Sequence, residues 1–276
     1  MALAIGQDGK VVARGLLEGG GSCVFEGSLI ANFLMPERVV ISPTTRPKTD
    51  CGEEVLGYED PTPLSIGNNP FECSSGVLTT EVYRARNGSI QTNLLYFGTQ
   101  TSIVRNILTP SEAMKFGLKR HYAHLDMVKE AEIFSFGPAQ RLLIEVGADG
   151  KSRLALVTVK NSRVTVVRKF LDPASGTWYS NHVSTVTSPI LRQDGTSLLL
   201  LNGRDSNIWR VGWAIIGKTG CVEKIGEPFL EPPEDGSVGP GGQRIAFGSF
   251  FDPETLKLFY HVHDRTIMVC SLKISL

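Results

Sequence analysis

The sequence predicts an all-β fold, a five-bladed β-propeller, on three grounds: strand-forming runs set off by turn dipeptides, a repeat of those runs, and room in 276 residues for five copies of it. Short β-branched and aromatic runs alternate with clusters of Gly, Pro, Asn and Asp, and 29 Gly with 15 Pro suit an architecture with many turns. Asp8-Gly9, Asn87-Gly88, Asp149-Gly150 and Asp194-Gly195 each lie between apolar runs, where such dipeptides supply the positive φ of tight hairpins. One helix start is legible. Thr109-Pro110-Ser111-Glu112 offers an N-cap, a proline at the first helical position and a capping-box Glu ahead of Ala113, Met114 and Phe116, and reads as a short insertion between strands.

The runs LLYFGT from Leu94, LLIEVGA from Leu142, LLLLNGR from Leu198 and LFYHVHD from Leu258 are similar strands, each leading into another. Setting Gly98, Gly147, Gly203 and His263 in register gives steps of about 50 to 60 residues, the spacing of one four-stranded blade per repeat. RLALVTV, IWRVGWAII and RTIMVCSL follow as third strands, and RVTVVRKFL and CVEKIGEPFL as outer strands; the outer strand of the last blade is read from the N-terminus. The blades fall at about 1–50, 51–116, 125–172, 178–232 and 239–276 of one domain, and an N-terminal strand that pairs with the last blade would close the ring and remove an exposed edge. A β-sandwich with long insertions is the other all-β candidate, but it predicts no repeat of this length.

Composition bounds the partners. Lys+Arg and Asp+Glu are both 28, so the formal net charge is zero and gives no global reason to expect a nucleic acid or an anionic membrane surface. No window approaches the run of about 18 apolar residues of a membrane span. MALAIGQDGK lacks a basic region followed by an apolar core, so a cytoplasmic location is the default expectation. The five cysteines form no CxxC pair, and neither a metal nor a cofactor is expected. Buried thiols are the plain reading of them; Cys51 with Cys73 is the pair a disulfide would take.

The segment WYSNHVSTVTSPILRQDGTSLLLLNGR, then NIWRVGWAII, then GCVEKIGEPFL resembles a blade of the five-bladed glycosidase superfamily, which includes arabinanases, β-xylosidases, invertase-like fructosidases and mannoside phosphorylases. Lys224, Gly226, Pro228 and Leu230 match the superfamily's outer-strand pattern, whose tryptophan is absent here, and KLFYHVHDRTIMVCSLKI is similar to its closing blade. The resemblance covers roughly the C-terminal 100 residues, and the rest follows from the repeat. It implies a central funnel in which two separated carboxylates act on a glycosidic bond.

On that resemblance Asp60, in YEDPTP, looks like the Asp-Pro elements that open an inner strand at the funnel, against a turn residue before proline. Glu72, in FECSS, is similar to the Glu-Cys element of the invertase-like group, although it follows Asp60 closely. Glu130 and Glu132 precede the third-blade strand where the arabinanase-like group carries its acid, against solvated surface charge; their equal parity puts them on one face of a regular strand. Asp60, Glu72 and Glu132 are therefore the catalytic candidates. The superfamily's first-blade base has no clean counterpart, since Glu26 lies in a different context. Trp178, Tyr179, His182, Arg244 and His261 are the candidate substrate-binding residues, as aromatic faces and donors. Trp209 and Trp213 are read as sugar platforms or inter-blade packing, and Arg204, Asp205, Asp264 and Arg265 as turn salt bridges. His261 and His263 share strand parity, with no third ligand to make a metal site.

The leading expectation is a carbohydrate-active enzyme that hydrolyses a small glycoside or furanoside. Its rivals use the same funnel as a cyclase or isomerase of an apolar metabolite, or as a binding propeller without catalysis. A funnel lined by several carboxylates favours the first; an apolar pocket with one or two donors favours the second.

Overall fold

The computed structural model describes residues 3–5, 10–18, 21–30, 33–44, 53–64, 76–98, 102–104, 127–136, 139–148, 150–160 and 163–274. Glu72, Cys51, Cys73, the Asp8-Gly9 turn and the helix start at 109–116 lie outside the described residues.

Hairpin after hairpin, the described residues form five antiparallel meanders. The first contains β1 (Leu3–Ile5), β2 (Val11–Leu16), β3 (Ser22–Ile30) and β4 (Phe33–Ile41). The second contains β5 (Glu54–Leu64), β6 (Gly76–Arg84), β7 (Ile90–Phe97) and β8 (Ser102–Val104). The third contains β9 (Met127–Phe136), β10 (Ala139–Ala148), β11 (Lys151–Lys160) and β12 (Arg163–Leu171). In the fourth, β13 (His182–Thr185) and β14 (Ile190–Leu191) both pair with β15 (Ser197–Asp205), followed by β16 (Ile208–Ile216) and β17 (Val222–Ile225). The fifth contains β18 (Arg244–Asp252), β19 (Lys257–Val262) and β20 (Thr266–Ser271). Gly88, Gly150 and Gly195 carry φ of 82°, 71° and 79° in the turns read from the dipeptides.

Alternation along each strand gives the sheets two apolar faces, and the faces pack in a cycle. Val12 and Val24 of the first meander meet Val55, Tyr58 and Leu95 of the second. Leu78 and Leu94 meet Leu142, Ile144 and Val146 of the third, whose Leu143, Leu154 and Leu156 turn the other way onto Leu199 and Leu201 of the fourth. Leu198 and Leu200 then meet Phe251 and Leu258 of the fifth. Val11 and Ala13 close the cycle against Phe259 and Ile267. Such face-to-face packing around a centre is that of a β-propeller.

Two strand assignments differ from the sequence reading. LLIEVGA, LLLLNGR and LFYHVHD are second strands, but LLYFGT is the third strand of its meander, and the true second strand there is β6. The N-terminus does not extend the fifth meander: β1 pairs with β2, and β20 has β19 as its sheet neighbour among the described residues. The ring closes through side-chain packing instead.

Trp178 and Tyr179 are core residues rather than funnel residues. The Trp178 indole lies on Gly203 of β15 and Gly212 of β16, where any Cβ would collide with it, and its Nε1 donates to the Gly226 carbonyl at 3.0 Å. Tyr179 is buried in the same cluster. Gly226 also lies against Trp213, over which Lys224 sits at 5.4 Å, so the matched outer-strand residues serve this packing. Gly212→Ala is expected to lower the unfolding free energy by about 1–3 kcal/mol, the usual cost of overpacking. Urea titration followed by Trp fluorescence checks this, and an unchanged midpoint would show that the indole is not seated there.

Candidate functional site

Residues of all five meanders converge on one cavity of about 580 Å³. Its acidic wall comes from β5, β9 and β10, and it is built by two bulges. In β5, Glu59 pairs with Thr80 and Thr62 with Leu78, so Asp60 and Pro61 stand opposite a single residue; Asp60 has φ 49°. In β9, Lys129 pairs with Glu145 and Ala131 with Ile144, so Glu130 is extruded with φ 40°. A left-handed residue in a bulge breaks strict alternation, which lets consecutive side chains, Glu59 with Asp60 and Lys129 with Glu130, line the same cavity. Neighbouring threonines of β6 hold both bulges: Thr79 Oγ1 donates to the Glu59 carbonyl at 2.6 Å, and Thr80 Oγ1 accepts from the Glu130 N–H at 3.4 Å.

Opposing protonation preferences coexist here. Burial raises the Asp60 pKa to about 6, against the pull of Lys129 and with help from the Glu59 charge. Burial also pushes Glu130 well above the ordinary range, reinforced by Glu145 and Asp60. Asp60 Oδ2 and Glu130 Oε2 are sealed from solvent and have no hydrogen-bond partner among the described residues. Burial alone would raise Glu59 too, but Lys129 Nζ at 3.0 Å and Arg14 at 2.7 Å outweigh it and hold the group ionised. Glu145 is fully buried, yet His182 and Lys129 likewise bring its pKa below the usual value. His182 Nε2 lies 3.1 Å from Glu145 Oε1, close but off the hydrogen-bond axis, so the contact is chiefly electrostatic.

A second part of the lining is aromatic. His182 packs edge-on to Trp209 with ring centroids 4.3 Å apart, Trp209 reaches Phe247 at 5.2 Å, and Phe247 stacks on His261 at 5.0 Å. Trp209 Nε1 donates to Gln243 Oε1 at 2.7 Å. His261 Nδ1 lies 3.0 Å from Asp264; burial lowers the histidine's pKa despite that carboxylate.

Of the residues singled out from sequence, Asp60, Glu130, His182, Arg204, Trp209, His261 and Asp264 line the cavity, and Trp178, Tyr179, Glu132 and Arg244 do not. Glu132 faces away because the bulge at Glu130 breaks their shared parity; it accepts from Ser188 Oγ at 3.2 Å. Arg244 donates to the Pro233 carbonyl at 3.1 Å. Glu26 is held by Arg38 at 2.7 Å, and the first meander sends Arg14 to the cavity. His263 leaves the strand with φ 54°, and its Nδ1 accepts from the Ile245 N–H at 3.1 Å. Glu145, Glu59 and Lys129 were missed. A charge inside the apolar run LLIEVG was the signal for the first of them, because a buried carboxylate needs a reason to be there.

No family model matches the sequence, and no curated protein matches it. Solved structures do match in fold. The fold is a β-propeller. A β-1,2-mannobiose phosphorylase from Listeria innocua aligns with TM-score 0.66 and 18% identity over 92% of this chain and 68% of its own. A structure from the GH130 family of mannoside phosphorylases, said to contain glycoside hydrolases that target β-1,2-mannosidic linkages in Candida mannan, gives 0.63 and 17% over 97% and 82%. A glycosyl hydrolase from Bacteroides ovatus gives 0.61 and 16% over the same shares.

Burial raises the Glu132 pKa from 4.5 to about 7, outweighing the hydroxyls of Ser188 and Thr62. The folded state therefore binds this proton more tightly than the unfolded state, and stability falls as pH rises from 4.5 through about 7. Glu132→Gln is expected to flatten that decline in melting temperatures taken across this range. An equally steep decline in the variant would place the titrating group elsewhere.

Proposed function

We propose that the protein is a carbohydrate-active enzyme that hydrolyses a small glycoside at this cavity, with the five meanders acting as the blades of one propeller domain. The observation that carries the reading is the division among the buried acids, with Asp60 and Glu130 favouring the proton and Glu145 and Glu59 favouring charge. Glycoside cleavage needs both forms at once. A carboxylate-lined cavity is also the lining expected for hydrolysis rather than for a cyclase or isomerase of an apolar metabolite. The propeller structures it resembles include glycoside hydrolases and a phosphorylase.

In this reading Asp60 is the general acid. Its unpartnered Oδ2 gives a proton to the glycosidic oxygen as the bond to the anomeric carbon breaks. Water attacks that carbon, and its proton passes to Glu145, whose ionised form His182 and Lys129 stabilise. Glu130, pushed toward its protonated form by burial, donates a hydrogen bond to a sugar hydroxyl. Glu59, clamped by Arg14 and Lys129, holds Lys129 beside Asp60 and Glu145, where its charge keeps either acid from climbing further.

Asp60→Asn is expected to reduce kcat by about 100-fold or more on alkyl glycosides, the contribution of a general acid, and by much less on dinitrophenyl glycosides, whose leaving group needs no proton. Equal losses on both substrates would remove Asp60 from that role. Activity should fall as pH rises through about 6, where Asp60 loses its proton, and fall again on acidification below 4.5, where Glu145 gains one. Glu145→Gln should abolish the acidic limb; a limb that persists in the variant would exclude Glu145 as the base.

A further inference from the structure

We propose that the mouth of the cavity is a subsite for an anionic group carried on the leaving-group side of the glycoside. This rests on the hydrolytic reading and adds the class of substrate.

The cations of the cavity fall into two sets. Arg14 and Lys129 are spent on Glu59. Lys151 and Arg204 have no acidic partner among the described residues. Lys151 is exposed beside the β10–β11 turn, and Arg204 is half-buried near the end of β15. The backbone brings them to one rim, since the Ser152 N–H donates to the Asn181 carbonyl and the Asn181 N–H to the Arg204 carbonyl, each at 3.0 Å. Asp205, the acid next to Arg204 in sequence, is taken up by Ser180 at 2.6 Å.

The Arg204 guanidinium is also pre-set. It lies over the Trp209 ring at 5.2 Å, and that ring is fixed by Gln243. Its Nε is shielded from solvent and lacks a hydrogen-bond partner among the described residues. A planar fork held on an aromatic face, with a donor unsatisfied, fits a bidentate oxyanion. The location of that anion follows from burial and charge. The acids that flank the scissile bond lie inward, with Glu145 wholly buried, while Lys151 is open to solvent. The charged acids, Glu145 and Glu59, lie in the inner half, and the cations without an acidic partner among the described residues, Lys151 and Arg204, lie at the rim. The sugar with the anomeric carbon therefore occupies the inner half, and an anionic leaving group reaches the rim. The group recognised is a carboxylate or a phosphate ester on an aglycone or on the second sugar.

The test compares phenyl and 4-carboxyphenyl glycosides of the sugar that a panel screen identifies, at low and high salt. The wild type should favour the carboxylated substrate in kcat/KM by about tenfold, the scale of one charged hydrogen-bonded pair, and salt should erode the preference. Arg204→Leu should bring the ratio near one. Lys151→Ala, on an exposed turn that leaves folding intact, should lower it. Competition by D-glucuronate against glucose 6-phosphate tells carboxylate from phosphate ester. A wild-type ratio near one overturns the proposal, as does inorganic phosphate acting as co-substrate with a glycosyl phosphate as product. If no glycoside is cleaved, the hydrolytic reading fails separately. Titration calorimetry with D-glucuronate and glucose 6-phosphate then decides the subsite: binding lost in Arg204→Leu supports it, and the absence of binding by either overturns it.

Discussion

Two bulged residues, Asp60 and Glu130, determine what this cavity is. Each adopts a left-handed conformation that costs a non-glycine residue about 1–2 kcal/mol. Each is anchored by a hydroxyl of the adjacent pair Thr79 and Thr80. Without the bulges, alternation would send one of every two consecutive side chains into the packed face, and neither Glu59 with Asp60 nor Lys129 with Glu130 could share one space. Strain concentrated at the carboxylates is the pattern of a site that the surrounding sheet over-determines.

The same arrangement sets the electrostatics. Crowding buried acids around few cations raises the pKa where compensation is weakest, at Asp60 and Glu130. Lys129 is itself held charged: burial would lower its pKa, but Asp60 and Glu59 outweigh that effect and raise it. The aromatic wall supplies counter-charge through His182, which helps to lower the Glu145 pKa. It fixes His182 against Trp209 and Glu145, and so ties the fourth meander to the third at the cavity.

Much of the fold was legible because propeller packing obeys rules that sequence displays. Turn dipeptides, period-two apolar runs and a repeat located the meanders, and Asn87-Gly88 marks the β6–β7 hairpin. The phase slipped in the second meander because LLYFG is as apolar as its supposed equivalents. The buried polar residue that each second strand from β6 onward carries, Glu81, Glu145, Asn202 and His261, would have corrected it. Asn202 shows the structural use of that position, exchanging two hydrogen bonds with the Gly248 backbone across to the fifth meander. The site was half legible: Asp60 was readable beside its proline, and His182 and His261 as polar residues in strands. Parity failed for Glu130 and Glu132, since a bulge is a local backbone event with no simple residue code. Trp178 was misplaced because an indole that stacks on sugar and one that stacks on two glycines look the same in sequence.

The most direct measurement is a crystal structure of the Asp60→Asn protein soaked with an uncleaved glycoside. A sugar is expected between the acidic and aromatic walls, with its glycosidic oxygen within hydrogen-bond reach of residue 60 and its anomeric carbon facing Glu145 across one water. Sugar bound elsewhere on the protein, or a glycosidic oxygen turned away from residue 60, would contradict it.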